Sequence, residues 1–458
     1  MPGLFGTLAA TSQALSAQSY ALDVTGQNIA NVNTPGYTRR RVLLSSTAAA
    51  DPFTQGAGVQ VDGVQGVRDR LLERRLQMEQ PAAAREGAVA DSLGVVEVAI
   101  GQPGKSIDAQ MDAFFTSASQ LASDPSAAPA RQGFVLAGQN LASSFRDMYS
   151  RLTDASQAAD TQVRGAVSQV NALATQLATI NGQLAQTPAN GTQSLSLQDH
   201  QKALLDSLTK LIDVSTVERA DGGVDISVGS GRPLVVGIDT VALGTAQQPP
   251  TGHVAITSQG IDVTSEITGG ALAGYLQVRD SFVPDYQTKL DALAAQVQTS
   301  VNAIHTAGFD NSGNAGIAFF TTDPHLSAAA SISVNAAIVS DTSLVAASGV
   351  KAAGDNQAAR DMAALRDARV MDGGRATFGD MWGQLTYTVG NDTQVAKNEQ
   401  TSRQAIVTQV QSLADSVSGV SMDEEAMSML KYQRAYQANA QFFTAVNNTI
   451  TTLLAMVT

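Results

Sequence analysis

The sequence predicts a mainly α fold with β insertions, elongated and built from nested, discontinuous domains, and three patterns predict it. The chain ends in two interleaved ladders that step by seven, Tyr432, Asn439, Val446, Leu453 and Met429, Tyr436, Phe443, Ile450, Val457. That 3-4 alternation is the seam of a coiled coil. Leu8, Leu15, Leu22 and Ile29 repeat the step near the start. Between them, from Val214 to Val263, the helical period gives way to alternation with turn chemistry, the mark of β-hairpins. Periodicity alone leaves two readings of the terminal seam open: it closes an internal bundle, or it is kept for a partner.

Taken in order, a first helix over about 4–29 must stop at Asn28-Ile29-Ala30-Asn31-Val32-Asn33-Thr34-Pro35-Gly36-Tyr37, because Pro35 and Gly36 suit the central positions of a type II turn. Residues 42–67, rich in Val, Gly and Thr, read as extended chain. Helix resumes over 68–100 with Pro81 as a possible break, then over 107–122, closed by Asp124-Pro125. The longest repeat follows: Phe145, Leu152, Ala159, Ala166, Leu173 and Ile180, with Val163, Val170, Leu177 and Leu184 as a second ladder. A helix of about 50 residues is about 75 Å long, and Ala at ladder positions favours close packing in a bundle. It reads as an internal rod.

Helix continues over 197–212. The hairpin region carries Asp221-Gly222-Gly223 and Gly229-Ser230-Gly231 as its turns. Helix returns over 271–305 with a break expected near Pro284, then come a Gly/Asn loop at 310–316 and a short β-prone stretch over 332–345. Further helices are expected over 357–370 and 378–417, where Ile406, Val410, Leu413, Val417 and Val420 keep bundle spacing. The expected domains are therefore residues 1–40 with 421–458 as a terminal coiled coil, and 41–213 with 264–308 and 355–420 as a long-helix rod. Residues 214–263 form a β-hairpin insertion and 309–354 a short outer β-prone insertion.

Composition agrees with thin helical packing. Of 458 residues 43% are hydrophobic but only 5% aromatic. The 28 Lys and Arg against 41 Asp and Glu leave a net charge of −13, which repels phosphate backbones and anionic headgroups. Nucleic acid and membrane insertion are not expected. The first cationic side chain is Arg39, so a signal peptide with a basic start is not expected.

No chemistry stands out. There is no cysteine, and His200, His253, His305 and His325 lack ligand spacing. Gly104-Lys105-Ser106 resembles the end of a phosphate loop, but the glycine needed five positions earlier is Ala99. Asp310-Asn311-Ser312-Gly313-Asn314 hints at a calcium loop, yet its twelfth position is Thr321. The expectation is no enzyme, no cofactor and no metal. What does stand out is assembly: Ser421-Met422-Asp423-Glu424 has the form of a capping box that starts the last helix, and Asn439 at a ladder position would fix register.

At this point the residues meet a family. Asn28-Ile29-Ala30-Asn31, Asn33-Thr34-Pro35-Gly36-Tyr37 and Arg39 resemble the N-terminal signature of bacterial flagellar axial proteins, the rod, hook and hook-associated subunits. The run from Tyr432 through Tyr436 to Asn439 resembles their C-terminal motif. Interior segments in matching order, among them Gly229-Ser230-Gly231-Arg232-Pro233-Leu234-Val235 and Val301-Asn302-Ala303-Ile304-His305, resemble the hook-associated protein 1 branch; the hook subunit or another axial protein is the alternative. The outer insertion is shorter than in many members of that family.

The resemblance implies a structural subunit at the hook-filament junction, secreted and extracellular, in a ring of identical subunits between hook protein and a second junction protein with the filament. It also implies delivery by the flagellar type III export apparatus and an export chaperone on the C-terminal helix. The residues it assigns to assembly are Leu8, Leu15, Leu22, Asn28, Ile29, Asn31, Asn33, Pro35, Gly36, Tyr37 and Arg39, with Tyr432, Tyr436, Asn439, Phe443, Val446, Ile450, Leu453 and Val457. In the isolated chain the end segments are expected to have exposed seams and to be mobile or disordered, gaining order as neighbouring subunits bury them. An enzyme carried on an axial scaffold would need a cluster of polar groups in the β insertions, whose Val, Gly, Ser and Thr content does not supply one.

Overall fold

In the computed structural model, residues 2–47, 58–101, 106–188, 191–249, 252–352 and 354–457 are described, the side chains of Pro2 and Val457 excepted. The lookalike phosphate loop at Gly104-Lys105 therefore lies outside the described residues. Helix α1 (Pro2–Ala30) leads into an antiparallel hairpin of β1 (Arg40–Ser46) and β2 (Val59–Gly66). The long helices α2 (Arg70–Ile100), α3 (Ile107–Ser123), α4 (Ala128–Ala185) and α5 (Thr192–Leu211) follow.

Two small antiparallel sheets come next. One is ordered β3-β4-β5-β6 (Val214–Glu218, Val224–Val228, Arg232–Val236, Asp239–Thr240), the other β7-β8-β9 (Leu243–Gln247, Val254–Ser258, Ile261–Asp262). The turn between β4 and β5 needs its glycines, since Gly229 and Gly231 have φ of 52° and 96°, where a side chain is strained.

Helix α6 (Gly270–Gln277) passes through one π turn at Val278–Phe282 into α7 (Val283–Ala307). The irregularity immediately precedes Pro284, whose ring and missing N–H disturb the regular i→i−4 ladder of this continuous helix. Pro81, by contrast, does not break α2. It is buried, and its ring lies where a Cβ on Gly269 would meet it, so packing against the start of α6 holds the helix together around it.

The stretch over 309–354 departs most from expectation. Among its described residues the only strands are β10 (Phe320–Thr321) and β11 (Ser333–Val334), joined by turns, the short helices α8 (Ala328–Ser331) and α9 (Ala336–Ser340) and a 3₁₀ turn at Thr342–Leu344. Asn335 caps α9 by accepting from the Ala337 N–H, and Asp341 caps the 3₁₀ turn by accepting from Ser343. Such short polar side chains fold the local backbone into turns and override β propensity. Nor does this stretch stand outside, for Phe319, Phe320, Ile332, Ile338 and Val345 are fully buried in the largest core. The ring of Phe319 lies 4.8 Å from Phe134 on α4. Asp310 makes a polar turn, its Oδ1 accepting from the N–H groups of Ser312 and Asn314.

Helix α10 (Gln357–Ala364) precedes α11 (Phe378–Ser418), which has a complete capping box at Thr377 and Asp380, and α12 (Met422–Val457) ends the described chain. Two apolar cores lie along α4. Phe134 to Leu152 face α3, α7, the end of α2 and the start of α11, whereas Val163 to Leu184 face α5, α6 and the sheets. Between them α4 turns polar: Asp160 accepts from Arg279 of the π turn (2.6 Å) and from the Val254 N–H (2.9 Å). Burial works against its charge, but these donors hold the Asp160 carboxyl below the usual range.

Candidate assembly site at the chain termini

The two ends of the chain come together. Helices α1 and α12 pack along one another, and α1 also lies on the hairpin, where Ala21 and Val24 meet Val42 and Val64. The apolar positions on α1 buried most deeply are Ala17, Ala21 and Val24, small enough to bring helix and sheet close. Leu8, Leu15, Leu22 and Ile29 are half-buried beside them. The seam is thus covered, in part, within one chain, by the chain's own N-terminal helix.

On α12, Val446 is buried and Met429, Tyr432, Asn439, Phe443, Ile450 and Leu453 are half-buried, while Tyr436 is exposed and the Val457 side chain lies outside the described residues. The outer side stays apolar, with Met427, Leu430, Phe442, Leu454 and Met456 all more than half exposed and Phe5 likewise on α1. An apolar surface of that kind on a long helix pair marks a place for a partner.

Asn28 is the hub. It is 1% exposed, and all four hydrogen-bonding positions of its amide are used. The Nδ2 group donates to Arg40 O (2.8 Å) and Glu425 Oε2 (3.0 Å); Oδ1 accepts from Tyr37 Oη (2.9 Å) and the Arg40 N–H (3.0 Å). Glu425 is itself 2% exposed, and its other oxygen accepts from Arg39 Nε at 2.8 Å. The Arg39 guanidinium also pairs with Glu424. Burial opposes its charge, yet its bonds to the two glutamates raise its pKa. Burial likewise raises the Tyr37 phenol, which keeps its proton to donate. The Arg40 guanidinium stacks 4.9 Å above the Tyr37 ring.

Three assigned residues thus converge: Asn28, Tyr37 and Arg39. Asn31 turns back to its own helix, donating to Gln27 O and accepting from Thr34 Oγ1. Asn33, Pro35 and Gly36 are exposed on a groove of about 550 Å³ whose other wall carries Gln411 and Asp415; Gly36 has φ of 80°, as a type II turn requires. Asn439 does not bridge the seam, because its Nδ2 donates to Ala435 O one turn back on its own helix. Register falls instead to Glu425. Glu424 is also diverted from the expected capping box, since it reaches Arg39. The residues missed from sequence are Glu425, Arg40 and Asp199; the signal available was the row Arg39-Arg40-Arg41 in an acidic chain, which asks for buried carboxylates.

Among the described residues no group of three or more His, Asp or Glu is placed to hold a metal, and no helix is long and apolar enough to cross a membrane. His305 is structural: Nδ1 lies 2.5 Å from Ile317 O and Nε2 accepts from the Ala346 N–H. Burial holds its pKa down at about 4.

Comparison with known proteins gives these features a family. The model of the flagellar hook-associated protein FlgK helical domain matches residues 93–320. The flagella basal body rod protein model matches 8–38, and that of the flagellar basal body rod FlgEFG protein C-terminal region matches 411–456. The chain is 27% identical over 489 residues to flagellar hook-associated protein 1 of Bacillus subtilis, covering 97% of this chain and 96% of that one. To the protein of the same name from Salmonella typhimurium it is 24% identical over 540 residues, covering 96% and 98%. In fold it is similar to the flagellar hook junction protein FlgK from Burkholderia pseudomallei, with a TM-score of 0.67 and 16% identity over 75% of this chain and 100% of that one. The order and reach of these matches, from the N-terminal signature through the rod to the last helix, support identifying this chain with the flagellar hook-associated protein 1 family.

Proposed function

We propose that the chain is a structural subunit of the bacterial flagellum, an extracellular component that joins hook to filament and catalyses no reaction. It assembles with other flagellar components. In the finer reading, identical subunits form a ring whose neighbours are the hook protein on one side and a second junction protein with the filament on the other. An export chaperone covers the C-terminal helix before delivery by the type III apparatus. The domain division that fits this reading keeps the terminal helix pair innermost, the long-helix rod outside it and the β sheets outermost.

The observation that carries the proposal is the clamp at Asn28 and Glu425. It ties both ends of the chain into one helix pair while leaving Met427, Leu430, Phe442 and Met456 bare. Apolar area is worth about 25 cal/mol per Å² when buried, so stacking such pairs around an axis gives each subunit a driving force to join its neighbours. The test is a deletion strain viewed by electron microscopy. Hooks without filaments, with flagellin released to the medium, are expected; loss of the hook itself would assign the chain to the hook subunit, and normal filaments would overturn the reading.

A further inference from the structure

The terminal helix pair and its hairpin are joined to the rod by two strands of chain side by side, residues 66–70 and 418–422. Two backbone bonds tie them: Arg39 N–H donates to Ser418 O (2.9 Å) and Val67 N–H to Arg39 O (2.8 Å). Beyond these, and beside the groove where the 31–37 turn faces the end of α11, the first two turns of α5 hold the terminal body against the rod. Asp199 in those turns meets Arg68 at 2.8 Å and Arg40 at 3.5 Å, Arg40 also donates to Ser196 Oγ (2.7 Å), and Leu195 fills the apolar corner beside Val42 and Val64.

This contact differs in kind from the clamp. At Asn28 every hydrogen-bonding group is used. At Asp199 two guanidiniums share one carboxylate, and three buried atoms, Arg40 Nε, Arg68 Nε and Asp199 Oδ2, lack a hydrogen-bond partner among the described residues, Oδ2 having only the long ion pair to Arg40. A buried ion pair that is only partly satisfied returns little over its desolvation cost, and a single leucine adds one side chain of apolar burial. The clamp is built to stay shut, whereas the contact at Asp199 is built near balance.

We propose that Asp199 is a releasable latch. Closed, it fixes the angle of the terminal body against the tip of α5. Open, it lets that body swing about residues 66–70 and 418–422 with the Asn28 and Glu425 clamp intact, so one subunit can meet neighbours at more than one angle. The inference stands apart from where in the flagellum the chain resides.

The absence of cysteine makes the test direct. Cysteines placed at Gln169 on α4 and Asn448 on α12, both exposed, carry spin labels for distance measurement by pulsed electron paramagnetic resonance on the full chain. The parent should give one narrow distance; Asp199→Asn should add a second maximum or shift the first by more than the parent's width, and Arg68→Gln should do so partially. Asp199→Glu should retain the parent distance. Hydrogen exchange in the first turns of α12 should be unchanged in Asp199→Asn, separating latch from clamp. A parent distribution as broad as the variant's, or identical distributions in parent, Asp199→Asn and Arg68→Gln, would overturn the proposal.

Discussion

The side-chain amide of Asn28 donates to Glu425 across 397 residues of sequence, at 3.0 Å and out of reach of solvent. With the amide's other bonds to Tyr37 and Arg40, it makes the turn after the first helix and the start of the last helix one structure. Asn28→Ala strands the Glu425 carboxylate and the Arg40 amide together. Removing one partner of a buried charged hydrogen bond costs roughly 2–4 kcal/mol. Amide exchange in the first turns of α12 should speed up accordingly, and a double-mutant cycle with Glu425→Gln should show coupling.

Two adjacent glutamates hold Arg39, but only one is buried: the side chain of Glu425 is 3% exposed and that of Glu424 55%. Glu424→Gln should change stability by less than about 0.5 kcal/mol, as exposed pairs do. Glu425→Gln should cost several times more, because it disrupts a desolvated pair. Denaturant titration of the two variants makes the comparison, and equal effects would count against the clamp.

Asn439 looked like a register device in sequence, and its amide serves its own helix instead. Asn439→Ala should therefore shift the thermal midpoint only slightly and leave the α1 and α12 pairing in place. Crosslinking of cysteines introduced across the two helices would report any slip in register.

His305 gives a pH dependence with a definite sign. Its Nε2 must stay unprotonated to accept from Ala346, and its folded pKa of about 4 lies below the unfolded 6.5. The unfolded chain binds the extra proton, so this contribution is fully present above about 6.5 and is lost as pH falls toward 4. The shift corresponds to roughly 3 kcal/mol. His305→Gln should be less stable at pH 7 yet lose less than the parent between pH 6.5 and 4.5, as read by urea unfolding at both values.

Gly270, at the first position of α6, has φ of 77°, and a Cβ there would lie 2.3 Å from the Leu211 carbonyl carbon. The nearest atoms all belong to the Leu211–Ile212 peptide unit, which has nothing flexible to yield. Gly270→Ala should cost about 3 kcal/mol or more, measured by thermal unfolding, whereas Gly165→Ala, exposed on α4 with open space around it, should be neutral or mildly stabilising.

Long helices were legible because their periodicity is averaged over many turns: α4 and α11 needed no more than the spacing of their apolar residues. The hairpins after Leu211 were legible for the opposite reason, since a few glycines with positive φ specify each turn locally. Residues 309–354 were not. There the apolar residues are short runs between Asx turns, and whether Phe319, Ile332 and Ile338 face outward or into the rod depends on α4 and α7, which are remote in sequence.

The site divides the same way. By itself the sequence determined that both ends are helical, that each carries an apolar stripe, and that a turn at Pro35 and Gly36 closes the first helix, because these are consequences of local spacing and backbone freedom. Only the tertiary structure decided that the stripes meet within one chain, that Asn28 and not Asn439 sets their register, and that Glu425, Arg40 and Asp199 share the joint. A buried polar group is specified by whichever partners satisfy it, and here those partners arrive from three distant segments that only the folded chain brings within hydrogen-bonding distance.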